Sequence, residues 1–477
     1  MPLRVALHDY GSRGGDKATA PVILTSGPRQ PLLQYALALP DTTVELVNQV
    51  FTHPERDTAR TSSVSYSAVV GKHDVRVAYS DPTTDADRYL VHVVVEVSNA
   101  PNGSAMSIQL PRTLVSAEPD TVDDIRHLAF AYFVKGDKVR NVEFGKLDSG
   151  ETKAVAGPME WAGVRNKYFL VAVISPDTTI ASASFVGAPR VEKLAPDASG
   201  ALSIPLNDGR AEFDLYLGPQ EYERLRSLGY QLSEVNQYAS WLHAVVQPFA
   251  AIVTRVLLWM KHVSGLSYGW VIIIFGVAVR LLLWPLNQSA MRSSIRMQRI
   301  QPQLSEVQKK YKGDPKKQQE MLMKIYQSHG MTPFSPMMGC LPMLLPMPIL
   351  FALYFVFLNT IEFRGVPFLW MHDISAMDPY YITPLVMGIS MFALSWIGLR
   401  GTPPSAQTRM MSYMMPVVMT FMFLRFAAGL NLYYAVQNLA ALPQQWLLSK
   451  ERAIANPQNS AGSGGGSSGK SRSSGRG

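Results

Sequence analysis

The sequence predicts a multidomain chain: an N-terminal all-β domain, then an α-helical polytopic membrane core of five transmembrane helices with a cytoplasmic helical hairpin. Three observations predict it. Apolar and polar residues alternate in short runs through residues 21–230, the period of half-buried strands. Apolar residues crowd into the second half, in recurring runs of the ~20-residue length that crosses a bilayer's hydrocarbon. Lysine and arginine cluster beside those runs.

Residues 1–230 are read as the β domain. Its clearest runs are Val64–Val70, Tyr89–Val97, Val142–Phe144, Tyr168–Ile174, Ile180–Val186 and Ala211–Leu217. After Gly218-Pro219 the pattern turns helical, with Tyr222, Leu225, Leu228 and Leu232 at three- and four-residue steps. Residues 238–263 continue it as an amphipathic helix in the membrane interface. Trp241, Val245, Phe249, Ile252, Val256 and Trp259 form its apolar side, and His243, Arg255, Lys261 and His262 make it too polar for a clean span.

The core, 266–450, holds spans near 268–286, 337–358, 380–399, 411–428 and 430–449. The connecting loop 288–330 carries nine Lys/Arg against three acids, which places it in the cytoplasm. Parity then puts 359–379 outside, 400–410 inside, the C-terminus inside and the β domain outside. An exported domain needs a signal, and Met1–His8 lacks the apolar core of one. A transmembrane helix missing from the N-terminus is the expectation.

Within 288–330, Met297, Ile300, Leu304, Val307 and Tyr311 step by three and four, and Gly313-Asp314-Pro315 breaks the seam, as in a helical hairpin. The tail 451–477 is basic and, from Asn456, Gly/Ser-rich, so it is read as disordered.

The net charge of +8 could suit nucleic acid, but no aromatic-interleaved basic stripe accompanies it. No specific nucleic-acid sequence is expected as a partner. Cys340 is the sole cysteine, which excludes an intrachain disulfide and a cysteine-cluster metal site. The chain has no P-loop, nucleophile motif, metal cluster or intramembrane acid, so neither enzyme chemistry nor a cofactor is expected.

Arg280 is the candidate working residue, an arginine inside an apolar span with no carboxylate in any of the five spans to pair with. It could serve a wet cavity, or reach the cytoplasmic headgroups by snorkelling. On the last span Asn431, Tyr434, Asn438 and Gln445 share a helical face, for a substrate groove or for bonds between helices. Nineteen of the 23 methionines lie between 291 and 422, side chains that adapt to varied apolar guests or pack a core. Pro342, Pro346 and Pro348 bend the second span.

Several stretches resemble the YidC/Oxa/Alb family of membrane protein insertases: Val279–Leu286, Met297–Pro302, Gly339–Pro342 with Met347–Ile349, Asp378–Pro384, and Gly429–Tyr434 with Asn438. Gly157–Trp161 and Leu217–Pro219 are similar to the end of the periplasmic super-sandwich domain of its bacterial members. The resemblance implies a bacterial inner-membrane location and a five-helix core around a hydrophilic groove containing Arg280, with Tyr434 contacting substrate. It also implies an insertase and chaperone acting on nascent membrane proteins, with the Sec translocon, ribosomes and membrane lipids as partners. Two departures from the family stand out: Pro346 where relatives often carry glutamine, and the absent first helix. The runner-up reading is a secondary transporter or channel.

Overall fold

The computed structural model describes residues 5–12, 20–24, 31–52, 55–57, 63–81, 87–175, 180–236, 243–285, 287–288, 300, 303–304, 306–307, 309–328, 347–400 and 406–455. The chain divides into two compact units, Met1–Gln237 with Asn359–Ile361 and Tyr238–Leu358 with Glu362–Gly477.

Among the described residues of the first unit, 14 strands share one sheet. From one edge its main path runs Thr43–Glu45, Gln34–Ala38, Ala105–Gln109, Ala198–Pro205, Ile180–Gly187, Thr152–Arg165, Phe169–Ile174, Arg210–Pro219, Leu90–Val97, His73–Ser80, Ser63–Val70 and Glu55–Asp57. Ala129–Val134 and Val139–Glu143 pair off that path. Neighbours are antiparallel and alternate side chains face inward; some are joined by short turns, while others, such as Arg210–Pro219 beside Leu90–Val97, are brought together from distant parts of the chain. In Leu90–Val97 the inward set is Val93, Val95 and Val97.

The sheet folds back on itself. Tyr35 and Phe213 stand six places apart in strand order, yet their rings meet edge to face at 6.2 Å. A sandwich is the result, its halves sharing one core. Phe169–Ile174 is buried at every position because both of its faces are covered. Phe169, Val171 and Val173 enter the main core; Leu170, Ala172 and Ile174 lie under Leu225, Leu232 and Val235. Those covering residues belong to the segment expected to be one helix. It stops instead at Gly229, whose φ of +83° ends the helix Tyr222–Leu228, and Leu232–Glu234 forms a separate 3-10 turn.

In the second unit we number the helices α3 (His243–Ser264), α4 (Tyr268–Leu282), α5 (Pro315–Ser328), α6 (Met347–Asn359), α7 (Ile382–Leu399), α8 (Ala406–Phe423) and α9 (Ala428–Ala455), with α1 (Thr121–Arg126) and α2 (Tyr222–Leu228) in the first. In α3 the face that packs inward is Val246, Ala250, Val253 and Leu257, a different side from the row read as facing the membrane interface. Phe249, Ile252 and Trp259 point outward, while Trp241 and the side chain of Val245 lie outside the described residues. The physical reason is that α3 is apolar on two faces, and the one containing small Ala250 admits a closer neighbour.

Helix α4 ends four residues earlier than the predicted span, at Leu282. Residues Val246–Ser264 and Tyr268–Leu282 are together apolar enough for a crossing but are bent by 118° at the Gly265 break. Among the described residues α7 alone is by itself long and apolar enough to cross a bilayer. The predicted second span is described only from Met347, so Cys340, Pro342 and Pro346 lie outside the described residues, as does the tail from Asn456. Large apolar side chains face outward on every described core helix that flanks the site: Ile274 and Leu281 on α4, Ile389 and Phe392 on α7, Val417 and Phe421 on α8, and Leu439 on α9. Apolar exposure of that extent marks a surface meant for an apolar neighbour.

Residues 362–379 are a compact loop rather than a tether, with Phe363, Phe368, Met371 and Ile374 buried in the helical core. The loop is tied to the start of α9 by Ala428 N–H donating to Ala376 O at 2.7 Å and Gly429 N–H to Ile374 O at 2.8 Å. Asp378 is fully buried and accepts from Tyr380 N, Thr383 N, Thr383 Oγ1 and Trp370 Nε1.

Candidate functional site: the seam of α4 and α9

Two glycines and three polar residues make the seam. Gly276 lets α9 approach closely, since a Cβ there would stand 3.1 Å from Val436 Cγ1. Its carbonyl accepts from Gln437 Nε2 at 2.8 Å, and the same amide contacts the Tyr433 hydroxyl at 3.0 Å. Arg280 follows Gly276 by four residues, so it lies on the same face one turn further along. Its Nη2 donates to Gln444 Oε1 at 2.7 Å, and Gln444 Nε2 donates to Trp284 O at 3.1 Å. Gly269 at the other end of α4 admits Phe368, whose ring would lie 2.1 Å from a Cβ there.

Arg280 is half-buried, and its bond to Gln444 leaves Nε buried without a partner among the described residues. The helix end at Leu282 puts Arg280 in the last turn of α4, two residues from its end, about 3 Å by helical rise.

The four expected α9 residues lie elsewhere. Asn438 Nδ2 donates to Ser390 Oγ at 3.1 Å, on α7. Gln445 is buried beside Gly398 of α7, its Oε1 without a partner among the described residues. Tyr434 meets Phe423 of α8 edge to face at 5.4 Å, and Asn431 Nδ2 donates to Phe423 O at 3.1 Å. None of the four contacts Arg280. The residues that do face α4 are Tyr433, Gln437 and Gln444, each one position before a predicted one. The sequence holds three doublets, Tyr433-Tyr434, Gln437-Asn438 and Gln444-Gln445. One residue is a turn of about 100°, so the doublets lay down two polar faces, one toward α4 and one toward α7 and α8. Helical spacing finds both and ranks neither.

Of the predicted hairpin residues, Ile300 is buried, Leu304, Val307 and Tyr311 are half-buried, and Met297 lies outside the described residues. Asp314 Oδ1 accepts from Lys317 N at 3.1 Å at the start of α5.

A family model described as the YidC periplasmic domain matches residues 3–252, and one described as the 60Kd inner membrane protein matches residues 259–455. The chain belongs to the YidC family. Its β-sandwich is thus a YidC periplasmic domain, followed by the helical region that YidC proteins share. The chain is 35% identical over 329 residues to a protein of Syntrophus aciditrophicus named membrane protein insertase YidC, covering 65% of this chain and 56% of that one. A protein of the same name from Geobacter sulfurreducens is 34% identical over 375 residues, covering 77% and 67%. One from Campylobacter jejuni is 38% identical over 236 residues, covering 49% and 43%. The chain therefore spans little more than half the length of the Syntrophus relative. A crystal structure described as an active YidC insertase with its first transmembrane domain resolved covers 89% of this chain and 87% of its own, at 21% identity and a TM-score of 0.37.

Proposed function

We propose that this chain is a membrane protein insertase and chaperone that receives nascent inner-membrane proteins at the seam of α4 and α9. The observation that carries the reading is Arg280 bonded to a neutral amide: the cation is positioned but not neutralised. The names of its YidC relatives support the reaction class.

The reading has the following chemistry. A chain entering a bilayer exposes polar flanks and unpaired backbone groups, each costing several kcal/mol in hydrocarbon. Arg280 offers a charge in a medium less screening than water, so an acidic or polar flank is drawn to it. Arg280 Nε, buried without a partner among the described residues, is the kind of atom that water satisfies, which supports a hydrated seam. Met410, Met411, Met414, Val417 and Phe421 of α8 give the apolar part of a guest an adaptable surface.

The proposal includes five crossings, Sec translocon and ribosome as partners, lipid contact, a cytoplasmic C-terminus and hairpin, and the β domain in the periplasm. Depletion-complementation tests the core of it. Arg280→Ala should lower insertion of a small Sec-independent client by about tenfold or more, since a charge-assisted contact contributes ~2 kcal/mol. Arg280→Lys should retain most of it. Full activity of the alanine variant would sink the mechanism.

A further inference from the structure

We infer that Arg280 also holds the headgroup of an anionic phospholipid, which occupies the seam between clients; this rests on the insertase reading and adds a resting ligand to it. Height is the first argument. Gln444 bonds Arg280, and two residues further along α9, about 3 Å by helical rise, stands the half-exposed Trp446, with Lys450 Nζ 3.5 Å from its ring centroid. Gly398 of α7 abuts Gln445, so α7 and α9 are level there. On α7, Trp396 carries the Arg400 guanidinium 3.7 Å from its ring centroid. Trp284, one turn past Arg280, receives the Gln444 amide on its carbonyl. Two helices and the segment just past α4 thus bring a tryptophan within about a turn of Arg280, and on α7 and α9 a cation lies over it. Tryptophan and basic residues gather at the headgroup boundary of a bilayer. Arg280 therefore lies within about a turn of the headgroup boundary, inside the seam but within reach of a headgroup.

Charge is the second argument. Among the described residues no carboxylate pairs with Arg280, and Gln444 engages one of its five N–H donors. A phosphodiester's oxygens match the guanidinium fork, and in phosphatidylglycerol no tethered ammonium offsets its charge as choline does in phosphatidylcholine, so an unneutralised cation favours the anionic lipid. Access is the third. Leu281 and Leu282, adjacent in sequence, and Val277, one turn before, are exposed, so the guanidinium borders a lipid-facing surface.

The full chain reconstituted in phosphatidylcholine with a minor share of phosphatidylglycerol, extracted gently and examined by native mass spectrometry, tests this. Wild type and Arg280→Lys should retain phosphatidylglycerol over phosphatidylcholine. Arg280→Gln should lose about tenfold of that preference, the size of one charge-assisted contact. Excess inorganic phosphate should not displace the lipid, because the acyl chains hold it beside Leu281; displacement would overturn the lipid assignment. Equal retention by wild type and Arg280→Gln would also overturn it. If Arg280→Gln stops client insertion while phosphatidylglycerol retention is unchanged, the resting ligand is refuted and the insertase reading stands.

Discussion

A guanidinium bonded to a carboxylate is neutralised where it stands, whereas one bonded to the Gln444 amide is aimed and keeps its charge. Gln444→Glu should therefore pair with Arg280, leave the fold intact and lower client insertion as far as Arg280→Ala does, measured by protease protection of a newly made client. Undiminished insertion by the glutamate variant would show that the charge is not used. Arg280 was legible as a candidate because a cation in an apolar run stands out. Its partner was not. In the doublets Gln437-Asn438 and Gln444-Gln445 both residues are polar, and which one turns toward α4 is set by the close approach at Gly276, a tertiary fact that helical period does not contain.

At the scale of elements, the loop 362–379 organises the helix ends around it. Phe368 seats on Gly269 of α4, and Gly269→Ala would drive a methyl into that ring. We expect it to cost about 2 kcal/mol, the usual range for overpacking. Thermal unfolding of the purified protein should show the loss, and Phe368→Ala should be less damaging in that background than alone. Asp378 pins the start of α7. Burial alone would raise its carboxyl, but bonds from Thr383 N and Tyr380 N, then Thr383 Oγ1 and Trp370 Nε1, hold it below the ordinary range. A depressed carboxylate contributes stability in full above its unfolded value, about pH 4, and loses it as pH falls through the lower folded value. Acid should thus loosen this loop, read as lower amide protection at Tyr380 and Thr383, relative to the intrinsic exchange rate, below that pH. Asp378→Asn should show the loosening already at neutral pH. The same protection at both pH values in wild type would contradict the assignment. The sequence marked these residues as a motif without saying that they form a cap, since the cap depends on Trp370 folding back eight residues.

For the whole molecule, legibility followed the contrast between neighbouring residues. Strands such as Leu90–Val97 alternate strongly and were readable, while Ala198–Pro205, built from Ala, Ser and Gly, has too little contrast to announce itself. Phe169–Ile174 read as apolar throughout, and the cause became visible only with α2 and the 3-10 turn laid over its outer face. Helix α3 is apolar on two sides, and the sequence reading named only the bulky row of the membrane-interface face, not the row with Ala250 that packs inward. The central claim is that clients meet the charge of Arg280. Photo-crosslinking of a ribosome-held client tests it directly, with the probe at Val277, exposed and one turn before Arg280, and a control probe at Leu385, exposed on the first turn of α7. The account predicts a client adduct at Val277 that weakens when Arg280 is changed to alanine; an adduct indifferent to that change, or one formed only at Leu385, would contradict it.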